Sequence, residues 1–278
     1  MMYLLGAIAA GVYIYSLFRA FNQWNINTLQ AIVVNYFTAA ALGVMLHLDS
    51  DWPTAYGVKA ALMGVYFIVL FNLTGYVARK GGLTLVAIAG KLSLVIPVIF
   101  SMAYLKEPMG WAQLGGAGLA FVAVWLVSGK ASVGSIAPLW PLLLFLGSGL
   151  LDIAFKIIQL EWVHPDDLGI FSTMIFASAG LAGWLGQRLV QRERNQPWQW
   201  RNVGAGVALG VVNYCSVFFL LKALDQTHWS SGGVFAFHNL GIVVGSTLVA
   251  LGLFREKLKA KQWIGLGIAV LSLALLTA

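Results

Sequence analysis

Ten stretches of the chain are apolar almost without interruption, at residues 2–20, 28–48, 55–78, 82–105, 111–128, 139–160, 168–190, 202–223, 230–254 and 262–277. Each is near the roughly 20 residues that an α-helix needs to cross a hydrocarbon core about 30 Å thick. The runs lack the two-residue alternation of a membrane barrel. The connectors between them are short and hold most of the charge, so neighbouring helices run antiparallel and no separate soluble domain fits. The pattern predicts an all-α integral membrane protein of ten transmembrane helices. The first run has no basic leader and no clear small-residue cleavage site, and reads as a retained span.

The polar positions also repeat. Lys106, Glu107, Gln113, Gly116, Gly118 and Ala120 return 149 residues later as Arg255, Glu256, Gln262, Gly265, Gly267 and Ala269. A weaker match relates Phe18, Arg19 and Asn22 to Phe155, Lys156 and Gln159. The chain therefore reads as helices 1–5 duplicated as helices 6–10, with residues 1–130 and 131–278 as two five-helix repeats of one membrane domain. An odd number of crossings inverts the second copy, and inverted repeats are an architecture of secondary transporters, with the solute site near the midplane between the halves.

Composition then narrows the class. Only 10% of the 278 residues are charged and 60% are hydrophobic, whereas a soluble domain carries about a quarter charged residues. That excludes disorder, a nucleic-acid module and an ordinary cytosolic enzyme. The net charge of +7 follows the connectors: with alternating crossings, one face collects 12 of the 17 basic residues and the other 3, with Lys91 and Lys156 inside spans. Basic connectors mark the cytoplasmic side, which places the 188–201 and 255–261 loops in the cytoplasm and both termini outside. The excess charge meets an anionic membrane surface rather than nucleic acid. Cys215 stands alone in an apolar run and reads as an inert thiol.

The run Pro97 … Leu105-Lys106-Glu107 … Gln113 … Gly116 … Gly118, echoed by Arg255-Glu256 … Gln262 … Gly265 … Gly267, resembles the EamA-type repeat of the drug/metabolite transporter superfamily over nearly the whole chain. The resemblance implies a bacterial inner-membrane carrier, often an exporter, of small organic metabolites such as amino acids, working without ATP hydrolysis. Family members are commonly drawn with both termini cytoplasmic, the reverse of the orientation that the charges imply. The second copy carries Ser246 where the first has Pro97, so a kink is expected in helix 4 and not in helix 9.

Ionisable groups at membrane depth are costly and face the protein interior, which makes them candidates for function. Lys91 lies in the fourth span, Asp152 in the sixth, and His238 with Asn239 in the ninth, where the 149-residue offset maps them beside Lys91. The functional reading has Lys91 binding a carboxylate or other anionic group of a small organic solute, His238 and Asn239 lining the opposing wall, and Asp152 receiving an amine or a coupling proton. The structural reading pairs Asp152 with Lys156 or Lys91, and lets His238 donate to a backbone carbonyl. Tyr15, Tyr76, Tyr214, Phe235 and Phe237 are weaker pore-lining candidates. Asn35, Asn72 and Asn213 read as helix-to-helix hydrogen bonders, and Trp52, Trp111, Trp140, Trp162, Trp198, Trp200 and Trp263 as interfacial anchors at span ends. Glycines in spans have two readings, smooth faces for close packing or local loosening; Gly147, Ser148 and Gly149 are candidates for loosening helix 6 near Asp152, and Pro97 for interrupting helix 4.

No zinc-binding His-Glu-x-x-His pair, phosphate loop, nucleophile couple or metal-ligand cluster occurs in the sequence, so the expectation is a carrier rather than an enzyme, with no cofactor. A lipid flippase or small channel on the same fold is the alternative, and an intramembrane enzyme using His238 and Asp152 is the remote one. The glycine-rich faces of helices 5 and 10 make a homodimer through them a candidate arrangement.

Overall fold

The computed structural model describes residues 1–48, 50–104, 110–127, 136–194, 197–226 and 231–276. Lys106, Glu107 and Lys130 lie outside these residues, as do the side chains of Phe155, Lys156, Gln159, Arg192, Arg194 and Asp225. The described chain is helical, with α1 at Met2–Gln23, α2 at Thr28–Leu46, α3 at Gly57–Gly81, α4 at Leu83–Leu92, α5 at Val95–Tyr104 and α6 at Trp111–Val127. There follow α7 at Leu139–Glu161, α8 at Leu168–Arg194, α9 at Trp200–Gln226, α10 at Ser231–Gly252 and α11 at Ala260–Leu276. No strand occurs among the described residues.

Six segments are long and apolar enough to cross a membrane: Met2–Gln23, Thr28–Leu46, Thr54–Gly81, Leu83–Phe100, Leu168–Leu189 and Trp200–Leu220. Four further expected spans correspond to shorter apolar helices, Trp111–Val127, Leu139–Ala154, Phe237–Gly252 and Ala260–Leu276. Large apolar side chains remain exposed along these helices, among them Val58, Leu62, Val69, Leu189 and Leu248, and a surface of that kind suits lipid rather than water. All seven tryptophans expected at span ends are also exposed. The molecule is an all-α membrane protein.

The fourth span is two helices, α4 and α5, broken at Ser93 and Leu94. Pro97 has no amide proton, and its ring crowds the carbonyl four residues back, which belongs to Ser93. The Ser93 carbonyl instead accepts from the Ile96 amide at 2.9 Å, and the Ser93 hydroxyl donates to the Gly90 carbonyl at 2.7 Å. The expected loosening at Gly147–Gly149 is absent, because α7 runs unbroken through it. Gly149 serves packing: a Cβ there would lie 2.4 Å from Ile96 Cδ1.

The fold divides into two compact units. Met1–Ala20, Leu73–Ile153 and Ser216–Ala278 form one, and Phe21–Asn72 with Ala154–Cys215 form the other. Each draws on both halves of the sequence.

In the first unit α6 packs along α11 and α4 along α10. Gly116 faces Leu275 and Leu276, while Gly265 faces Leu126 and Val127, so α6 and α11 run antiparallel with equivalent glycines in equivalent contacts. The Ser272 hydroxyl closes the seam by donating to the Gly116 carbonyl at 2.7 Å. The glycine faces expected to mediate a dimer thus meet partly within the chain, while Gly115, Gly118 and Gly267 face open space. The Gln113 Oε1 accepts from the Gly110 amide at 3.0 Å, and Gln262 Oε1 accepts from the Lys259 amide at the same distance. Each is the reciprocal half of a capping box. Gly241 and Gly245 of α10 admit Ile8 and Val12 of α1, so these helices run parallel. Gly11 of α1 meets Ile242 of α10.

In the second unit α2 packs antiparallel to α8, with Gly43 against Thr173 and Gly169 against His47. Gly64 and Gly183 bring α3 and α8 together in parallel, and Gly206 and Gly210 do so for α2 and α9. Small residues four apart permit this close approach where lipid offers no hydrophobic drive for association. Amides add to the seam: Asn202 Nδ2 donates to Gln30 Oε1 at 2.6 Å, and Asn213 Nδ2 to Asn35 Oδ1 at 3.2 Å. Asn72 departs from its expected role, donating to the Ile68 carbonyl of its own helix at 2.7 Å.

Candidate functional site

Lys91 and Asp152, both in apolar spans of the first unit, interact electrostatically. Lys91 stands in the last turn of α4, immediately before the break that Pro97 imposes. It lies within electrostatic reach of Asp152 on α7 and of His238 on α10. Asp152 is surrounded mostly by protein and is partly accessible. Tyr15 of α1 also lies within reach of Asp152. Its hydroxyl is 3.0 Å from where a Cβ at residue 90 would stand, so the glycine preceding Lys91 makes room for the phenol.

His238 and Asn239 are buried, at 5% and 8% exposure. The His238 ring bonds to the Ala7 carbonyl and the Asn239 side chain, as the structural reading expected of a core histidine. That reading accounts for only part of the ring, because Nε2 is buried without a hydrogen-bond partner. An unmet buried polar atom costs about 1–3 kcal/mol. Lys91 is therefore the residue that both Asp152 and His238 approach, and the Asn239 side chain bonds to the histidine. The side chain of Lys156, the other expected partner of Asp152, lies outside the described residues. Phe235 and Phe237 on α10 are partly exposed, and Tyr76 packs its ring on Trp140 at 5.1 Å. No group of His, Cys, Asp and Glu suited to a metal occurs among the described residues.

A second charged cluster was not legible as a site. Gly82 precedes α4 with φ of +94°, and α4 has no side-chain cap of its own. Glu256, from the loop after α10, supplies one: its Oε1 accepts the Leu83 amide at 3.0 Å. Arg19 of α1 stands 3.3 Å from the same oxygen and donates to the Arg79 carbonyl at 3.2 Å. Both partners are nearly inaccessible. Burial pushes the Glu256 carboxyl above its ordinary range, against the lowering pull of the Leu83 amide and of Arg19. In sequence Arg19 and Glu256 are connector charges more than 200 residues apart, and only their repeat-motif positions single them out.

No family model matches the chain. An uncharacterized protein of Haemophilus influenzae is 25% identical over 95% of this chain and 93% of its own length. A solved crystal structure of a protein superposes with a TM-score of 0.58 at 15% identity, covering 98% of both chains. That likeness extends to the fold alone.

Proposed function

We propose that this protein is a secondary carrier that moves a small organic solute by alternating access around Lys91, Asp152 and His238. The observation that carries the reading is their convergence from both halves of the sequence beside a broken helix, with His238 Nε2 buried and unpartnered. Discontinuous helices with ionisable side chains at mid-span are how carriers form solute sites, since the interrupted backbone lines a cavity. Lys91 would take a carboxylate or other anionic group, Asp152 an amine or a coupling proton, and His238 Nε2 a hydrogen bond from or to the solute.

Two inverted five-helix repeats, residues 1–130 and 131–278, form part of the proposal. The recurring glutamine caps and the paired Gly116 and Gly265 contacts support it. The parallel and antiparallel registers are those that ten alternating crossings require, in each of the five helix pairs described above. The EamA-type motif of Glu256, Gln262, Gly265 and Gly267 adds to the same reading, and with it a bacterial inner-membrane location.

Thermal-shift screening of the purified protein against amino acids, nucleosides, sugars and amines identifies the solute, because a ligand stabilises the state that it binds. Saturable counterflow of that solute in proteoliposomes then tests transport. Lys91→Ala lowers the rate roughly thirtyfold or more, as expected when one partner of a buried charged contact is removed at a cost of about 2–5 kcal/mol. Normal transport by Lys91→Ala, at equal expression, overturns the site. Movement of labelled lipid without solute counterflow would replace the carrier by a flippase.

A further inference from the structure

The Arg19–Glu256 pair is set apart from Lys91 but joined to it by a single short helix. Helix α4 begins at Leu83, whose amide Glu256 accepts, and reaches Lys91 roughly 12 Å further along its axis at 1.5 Å per residue. Gly82, at the N-cap position, supplies no side-chain hydrogen bond of its own. Its far end is not continued into α5, because Pro97 leaves the Ser93 carbonyl outside the helical ladder. The helix is buried along most of its length and packs on α10, and the contact at its start fixes where along that packing Lys91 stands.

The contacts at that end are close and specific. A Cβ at Gly82 would lie 2.7 Å from Glu256 Oε2, so the carboxylate sits directly against the backbone turn. Arg19 reaches both the carboxylate and the terminal turn of α3, through Arg79, and lies 5.9 Å from the centre of the Phe254 ring. One ion pair thereby joins α1, the end of α3, the start of α4 and the loop after α10. Buried ion pairs of this kind add little net stability, because desolvation offsets attraction; their best-attested use is to select one geometry.

We propose that Glu256 and Arg19 are positioning residues for Lys91: the Glu256 carboxylate is the missing N-cap of α4, and Arg19 fixes that carboxylate so that Lys91 stands where the solute is met. This rests on the reading of Lys91 as a solute contact. The loop after α10 thus sets the geometry of a site to which it contributes no side chain.

The test places reporter cysteines in full-length Cys215→Ser protein in liposomes, one as Lys91→Cys on α4 and one as Ser148→Cys on α7. Their modification rates by methanethiosulfonate-ethylammonium are compared with and without Glu256→Gln. Loss of a capping interaction changes the rate at residue 91 by about fivefold, with residue 148 unchanged, and Glu256→Asp restores an intermediate rate. An unchanged rate at 91, or an equal change at both reporters, overturns the assignment. Should Glu256→Gln fail to insert, Arg19→Lys is read by the same comparison and judged by the same outcomes. Because the readout is the placement of residue 91, it stays decisive even if Lys91→Ala leaves transport intact.

Discussion

At the scale of single residues, burial decides what each charge can do. Lys91 and Asp152 stand out in sequence because a membrane span tolerates few ions, and the fold brings Lys91 within reach of Asp152 and of His238. Arg19 and Glu256 look like ordinary connector charges until packing buries them. Gly82 belongs to the same cluster: its φ of +94° with an extended ψ is a region that only glycine enters at low cost. Gly82→Ala is expected to destabilise the protein by about 1–3 kcal/mol, read as a lower unfolding temperature in detergent. Glu256 also predicts a pH dependence. Its folded pKa is raised, so its contribution to stability is complete below the ordinary carboxylate range and is lost as pH rises through the raised value. As pH rises from the ordinary carboxylate range through that raised value, the wild type should lose stability relative to Glu256→Gln. A constant difference across that range would remove Glu256 as the titrating group.

At the scale of elements, backbone approach and backbone interruption do most of the work. Pro97 was legible as a helix breaker, and the break falls four residues earlier, where proline removes its hydrogen bond. Pro97→Ala should return an amide to the Ser93 carbonyl, protect residues 95–98 from hydrogen exchange and slow counterflow. Unaltered exchange there would show that something other than proline breaks the helix. Glycines were harder to read, since a glycine in a span can loosen a helix or admit a neighbour. Gly149 admits Ile96, and Gly206, Gly210, Gly241 and Gly245 admit whole helices. Their spacing of four was a signal available in the sequence. Gly116→Leu and Gly265→Leu, which overpack equivalent points of one antiparallel seam, should each destabilise by about 1–3 kcal/mol. Widely unequal losses in chemical denaturation would argue against that equivalence.

At the scale of the whole molecule, alternating crossings and the uneven loop charge lead to one prediction: both termini lie on the same side, opposite the basic 188–201 and 255–261 loops. Tags at the two ends should therefore be accessible together from outside intact cells, and labelling of both only after permeabilisation would reverse the orientation. The sequence by itself determined the class of protein, because continuous apolar runs and scarce charge admit no other solvent than lipid for an all-helical chain. It also determined the repeat in its motifs and the residues to suspect, since an ion or a proline inside a span is conspicuous without coordinates. Only the tertiary structure decided which suspects meet. Lys91, Asp152 and His238 come from separate helices, and their approach depends on helix register. Register depends in turn on which glycines face which side chains, a property of pairs of surfaces that no one-dimensional pattern contains. The same holds for Glu256, whose carboxylate becomes the cap of a helix 173 residues away in sequence only when the fold places it there.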